Sequence, residues 1–140
     1  MKSQSSLRPD PAWFEDWKLG VFPDLESDLC RWMLQVFSDF WTDANLEEKS
    51  ISTQRRYSNA LHAIGGYAID QLVRQQDPSC VAFYEFFISF FSPIEGPLIF
   101  QDEEASQREI DTVSKKLYKY FKSRKLQFKA ESNELRNYSK

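Results

Sequence analysis

STQRRYSNALHAIGGYAIDQLVR, residues 52–74, is the stretch whose reading decides the fold. Tyr57, Leu61, Ile64, Ala68 and Leu72 follow one another at steps of four, three, four and four, which sets them along one stripe of a helix. Arg55, Arg56, Asn59, Asp70 and Gln71 fall mostly off that stripe, so one face is built for burial and the other for water. Ser52 is the expected N-cap, its hydroxyl accepting from a free first-turn amide. Gly65 and Gly66 each cost about 1 kcal/mol in a helix relative to alanine. Their presence predicts a close helix crossing or, failing that, a local kink.

The rest of the chain supplies partners for that face. Asp10-Pro11 is a cap followed by a proline at the first helical position, opening a short helix with Trp13 and Trp17 one turn apart and an end near Gly20. From Pro23-Asp24 a second helix carries Leu25, Leu29, Trp32, Met33, Val36, Phe37, Phe40 and Trp41, a face broad enough for contact on two sides. Residues 42–50 are polar and acidic and form a linker. The central helix stops before Pro78, because a residue preceding proline is pushed out of helical geometry.

Asp77-Pro78 repeats the cap-plus-proline device ahead of Val81 to Phe91, where seven large apolar side chains leave almost no polar face. A helix of about fourteen residues at the centre of the core is expected there, with a buried strand as the alternative. Pro93, Gly96 and Pro97 break the chain, and Leu98 to Phe100 is an extended piece or an apolar loop tucked against the core. Ser106 and Glu109 fit a capping box for a last helix on which Ile110, Val113, Leu117 and Phe121 recur at three, four and four.

These periods predict an all-α fold, a single compact bundle of about five orthogonally packed helices, with Phe83, Phe87, Phe90, Leu61, Ile64, Leu117 and Phe121 in one core. A mobile arm at residues 1–9, a helical domain at 10–126 and a basic, partly disordered tail at 127–140 complete the expected organisation. Composition agrees: 140 residues with 41% hydrophobic and 28% charged content suit one globular domain, and twelve Phe against four Gly and six Pro favour a core of large rings. Trp13, Trp17, Trp32 and Trp41 are expected in that core, with an interface role as the alternative.

Apolar runs fall short of the ~18 residues of a membrane span. Met1 to Arg8 is polar and lacks an apolar signal-peptide core, so a cytoplasmic location is expected. Cys30 and Cys80 match no zinc spacing and are expected as buried thiols. His62 is the only histidine and reads as a boundary residue of the central helix rather than a base. With no P-loop, dinucleotide turn or paired-cysteine motif, no catalytic residue, metal, cofactor or small-molecule substrate is expected, and the chain does not read as an enzyme.

Charge is the second informative feature. Residues 1–111 hold nineteen Asp and Glu against nine Lys and Arg, a balance of −10, while residues 112–140 hold two against nine, a balance of +7. Lys115, Lys116, Lys119, Lys122, Arg124, Lys125 and Lys129 follow one another without an acid, with Tyr118, Tyr120 and Phe121 interleaved. Three readings are open: a solvated face complementing the helix C-terminus, an electrostatic footprint for a phosphate backbone, or a contact with the acidic run Asp102-Glu103-Glu104 within the chain or across a homodimer.

Thr53, Tyr57, Leu61 and Ile64, together with Ile110 to Ser114 and Leu117 to Phe121, form two patterns in an order that resembles the SAM-like core-binding domain of tyrosine recombinases and phage integrases. The two patterns cover under half the chain, and the catalytic domain of that family has no room here. The resemblance implies a helical module that clasps DNA, with Arg55, Arg56, Lys115, Lys116, Lys119, Lys122, Arg124 and Lys125 as phosphate contacts. The expected function is therefore sequence-tolerant nucleic-acid binding through the basic C-terminal helix. The alternative is a protein-interaction or homodimerisation module using aromatic surface. A basic face continuous with Arg55 and Arg56 would point to the first, and an exposed apolar patch to the second.

Overall fold

The computed structural model describes residues 7–124, and within them every regular element is helical. In chain order these are α1 (Trp13–Trp17), α2 (Pro23–Asp43), a 3-10 turn at Leu46–Glu48, α3 (Ile51–Val73), a second 3-10 turn at Pro78–Cys80, α4 (Phe83–Ile88) and α5 (Glu104–Ser123). α3 is the hub, packing directly on α1, α2 and α5. Its stripe is buried as the periodicity demands: Leu61, Ile64, Ala68 and Leu72 are fully enclosed, while Tyr57 is half-buried. The cap lies two residues earlier than expected. Ser50, in an extended conformation, accepts from the Thr53 amide at 3.2 Å, and Ser52 is already inside the helix. An extended φ/ψ at the cap is what lets the hydroxyl fold back over the first turn, and Ser50 is the residue that has it.

The two glycines leave α3 unbroken. Gly65 accommodates an aromatic ring rather than a helix backbone: a methyl added there would overlap the Trp17 indole, while one at Gly66 would lie 3.3 Å from the Trp17 Cδ1. The indole Nε1–H donates to the His62 carbonyl at 2.8 Å, and the Trp13 ring meets the His62 ring edge-on at 5.2 Å. His62 also pairs with Asp16 at 2.9 Å. One turn of α1 is thereby locked to α3, and His62 is the half-buried boundary residue expected.

α2 begins at Pro23 and buries Leu29, Trp32, Met33, Val36, Phe37, Phe40 and Trp41. At its far end the Trp41 Nε1–H donates to Glu47 at 2.7 Å, and Arg8 donates to the Ser38 hydroxyl and the Thr42 hydroxyl at 3.0 Å each and to Glu47 at 3.3 Å. Asn45 takes a left-handed conformation, φ 55°, to turn the linker into the 3-10 segment. At the other end, the buried carboxylate of Glu26 accepts from Leu19 (2.7 Å), Gly20 (3.0 Å) and Phe22 (2.8 Å), and so holds the α1–α2 loop.

The aromatic run after Pro78 forms a much shorter helix than expected. Pro78–Cys80 is a 3-10 turn, Val81 and Ala82 are extended, and α4 covers six residues. Packing explains the difference, because the rings are held by other elements rather than by a long helix of their own. Phe87 contacts Trp32 at 5.7 Å, Phe37 at 5.8 Å and Phe121 at 5.6 Å, edge-to-face or tilted arrangements worth about 1 kcal/mol each beyond area burial. Phe83, Phe87, Leu61, Ile64, Leu117 and Phe121 share the core, and Phe90 packs at its edge against Tyr67 at 5.1 Å. Of the tryptophans, Trp17, Trp32 and Trp41 are buried and Trp13 is partly so. Cys30 is buried; Cys80, expected to be so, is exposed, because it sits at the end of a surface 3-10 turn with its thiol donating to Asp77 at 3.2 Å instead of lying on a core-facing helix.

α5 starts at Glu104, earlier than the capping box implied, and the Ser106 hydroxyl donates to Glu103 instead of capping an amide. The residue that organises this region is Gln107. Its Oε1 accepts from both Ile99 and Phe100 at 2.9 Å, and its Nε2 donates to the Pro97 carbonyl at 2.9 Å and to Asp111 at 3.1 Å. Asp111 in turn accepts from Gly96 at 3.0 Å, so the segment 96–100 is an apolar loop stapled to α5 by side chains. We expect Gln107→Ala to cost about 1–3 kcal/mol by orphaning two part-buried amides. Faster hydrogen exchange at Ile99 and Phe100, with the α2 and α3 amides unchanged, would be the signature; unchanged exchange at those two would refute the staple.

Candidate nucleic-acid interface

α3 and α5 lie side by side, and the groove between them collects cations that are far apart in sequence. From α5, Arg108, Thr112, Lys116 and Lys119 follow at four, four and three, a single stripe. From α3, Thr53, Arg56 and Tyr57 face it. Two adjoining hollows share Thr53 and Tyr57. Arg56, Arg108, Glu109 and Thr112 line one; Lys49, Lys116, Lys119, Asp43 and Tyr120 line the other. The result is a groove bearing five exposed cations, Lys49, Arg56, Arg108, Lys116 and Lys119.

Two acids line it: Asp43 is answered, while Glu109 has no ion pair among the described residues. Asp43 pairs with Arg124 at 3.0 Å, and the Arg124 guanidinium also lies over the Tyr120 ring, 4.5 Å from its centroid. That pairing occupies Arg124, one of the expected phosphate contacts. Lys122 lies over the Tyr118 ring at 5.4 Å, and Lys122, Lys115 and Arg55 are exposed but line neither hollow. Lys125 lies outside the described residues. Among the described residues, Lys115, Lys116, Lys119 and Lys122 form no ion pair with Asp102, Glu103 or Glu104; Glu104 faces Arg108 at 3.9 Å. Lys49 and Arg108 precede the basic C-terminal run, and sequence reasoning passed over them because it weighed charge by segment. The signal for Arg108 was its spacing, two four-residue steps before Lys116.

The polar chemistry of the groove suits an anion. Burial pushes the Tyr57 hydroxyl above its ordinary value of 10, against a smaller opposing pull from Arg56, so it stays protonated and can donate. Its ring is committed to a near-parallel contact with Phe40 at 6.3 Å, and the buried Tyr120 ring meets Phe40 at 5.6 Å. With both rings engaged inside the fold, the groove offers donors and charge rather than stacking platforms. From Arg108 to Lys119 it runs about 16 Å along α5.

Elsewhere, among the described residues, no group of three His, Cys, Asp or Glu side chains could hold a metal ion, and no helix is long and apolar enough to cross a membrane. No family model, no curated protein and no solved structure matches the chain.

Proposed function

We propose that this chain is a binding module whose α3–α5 groove holds the phosphate backbone of a nucleic acid without reading its sequence. One observation carries the reading: Lys49, Arg56, Arg108, Lys116 and Lys119 converge on one groove although they come from three separate parts of the chain. The resemblance of Thr53, Tyr57 and Leu61 to a recombinase core-binding helix supports the same reading, since Thr53 and Tyr57 line that groove. Phosphate contacts supply affinity through counterion release and carry no base information, and the engaged tyrosine rings leave no route to base stacking. The acids of residues 1–111 oppose a polyanion, but those more than about 8 Å from the groove are screened at physiological salt, and Asp43 is neutralised by Arg124; Glu109 and, beside Arg108, Glu104 are the acids that the five cations must outweigh.

Five contacts predict that affinity for a random-sequence duplex falls roughly 500-fold between 50 and 200 mM salt. Fluorescence anisotropy with duplex and single strands of several sequences measures this directly. Lys116→Glu with Lys119→Glu should weaken all sequences about equally and flatten the salt slope, whereas Lys122→Glu, outside the groove, should do much less. Equal losses from both changes would assign binding to the general charge of α5. Absence of binding at about 50 mM salt would end the nucleic-acid reading.

A further inference from the structure

A second recess lies at the opposite end of α2 from the basic groove. Val21, Phe22, Leu25 and Phe83 line it, with Pro23 and Pro78 beside them, and it encloses about 580 Å³. Leu19, Val21 and Phe22 expose 51%, 55% and 38% of their surface, three large apolar side chains within four residues. The loop that carries them is fixed rather than collapsed, because its amides at Leu19, Gly20 and Phe22 are all held by the buried Glu26 carboxylate. A loop tethered in this way presents its apolar side chains to solvent and loses little further freedom when something covers them.

The rim is acidic. Asp24, Asp28 and Asp77 border the recess. Asp28 is paired with Arg31, but Asp24 has no ion pair among the described residues, and Asp77 accepts only from the neutral Ser79 hydroxyl and Cys80 thiol, so two carboxylates are uncompensated. An apolar floor inside an anionic rim complements one kind of surface: apolar side chains one helical turn apart, flanked by lysine or arginine. We propose that this recess is a docking site for a cationic amphipathic helix of a partner protein. The nucleic-acid groove is not involved, since α2 separates Asp24 from Asp43 by about 28 Å of helix.

The test uses the whole chain and a fluorescein-labelled helical peptide of Leu and Lys in amphipathic register, with a Leu and Glu peptide of the same apolar pattern as control. The Lys peptide should bind, and the Glu peptide should bind at least about tenfold more weakly. Asp24→Lys with Asp77→Lys should lower affinity for the Lys peptide about tenfold or more, whereas Asp102→Lys with Glu104→Lys, the same charge change away from the recess, should alter it less than about twofold. Val21→Ser with Phe22→Ser, both exposed and therefore tolerable to the fold, should weaken binding at high salt as well as low. Equal loss from the two charge reversals would reduce the effect to net charge and overturn the proposal. So would equal binding of the two peptides. Self-association of the free chain in sedimentation equilibrium, abolished by Val21→Ser with Phe22→Ser, would instead assign the recess to a second copy.

Discussion

Glu26→Ala should destabilise the fold by about 4 kcal/mol, with Glu26→Gln losing somewhat less, as measured by urea unfolding. Glu26 is completely buried, and its two oxygens serve three backbone amides. Hydrogen bonds to an ionised acceptor contribute about 1.5–3 kcal/mol each, less where, as for these part-buried amides, water can take the acceptor's place. Alanine removes the acceptor from all three. Glutamine keeps the shape but offers one oxygen and turns an N–H toward a donor. Burial acts to raise the Glu26 pKa, but the amides of Phe22, Leu19, Gly20 and Val21 outweigh it and hold the pKa below its ordinary value of 4.5. A lowered folded-state pKa means the contribution is complete above the unfolded value and is lost as pH falls through the folded one. The gap between wild type and Glu26→Gln should accordingly close in acid, below about pH 4.5. A glutamine variant as stable as wild type at pH 7 would show that the loop is held by other means.

Neighbouring glycines should respond unequally to the same substitution. Gly65→Ala is expected to cost about 2–3 kcal/mol, because the added methyl overlaps the Trp17 indole, a ring that is buried and hydrogen-bonded to His62 and so cannot swing aside. Gly66→Ala meets the same ring at 3.3 Å, a contact relieved by a few tenths of an ångström, and it gains about 1 kcal/mol of helix propensity. Its net effect should be close to zero. Gly66→Leu reaches further into the ring and should cost about 1–3 kcal/mol. Thermal unfolding of the three variants separates them, and Gly65→Ala matching Gly66→Ala would refute the indole notch.

The helices α2, α3 and α5 were legible because each carries an apolar stripe over at least about three turns, and tertiary packing has little to override in such a signal. α4 was misjudged for the reverse reason. Six aromatic residues and Ile88 among eleven carry no period, and whether they extend a helix or break after Ile88 depends on rings from Trp32, Phe37 and Phe121 that local sequence does not reveal. Glu26 and Gln107 were invisible for a related reason. An acid in the first turn of a helix reads as a dipole complement, and a glutamine in the first turn of α5 reads as solvent, yet both bind the backbone of a loop. The groove was half-legible: Arg56, Lys116 and Lys119 were named, but their meeting with Lys49 and Arg108 needs α3 laid beside α5.

The brevity of α4 also bears on how the chain acquires its structure. A helix of six residues has too few hydrogen bonds to repay nucleation and does not persist alone in water. Its partners Trp32, Phe37 and Phe121 are respectively fifty-five, fifty and thirty-four positions from Phe87, so the ring cluster closes long loops before it gains anything. α4 is therefore expected to dock late in folding, once α2, α3 and α5 have come together. An element that docks last can also leave first, so the α4 amides are expected to exchange with solvent ahead of those of α2 and α3, through local opening rather than global unfolding.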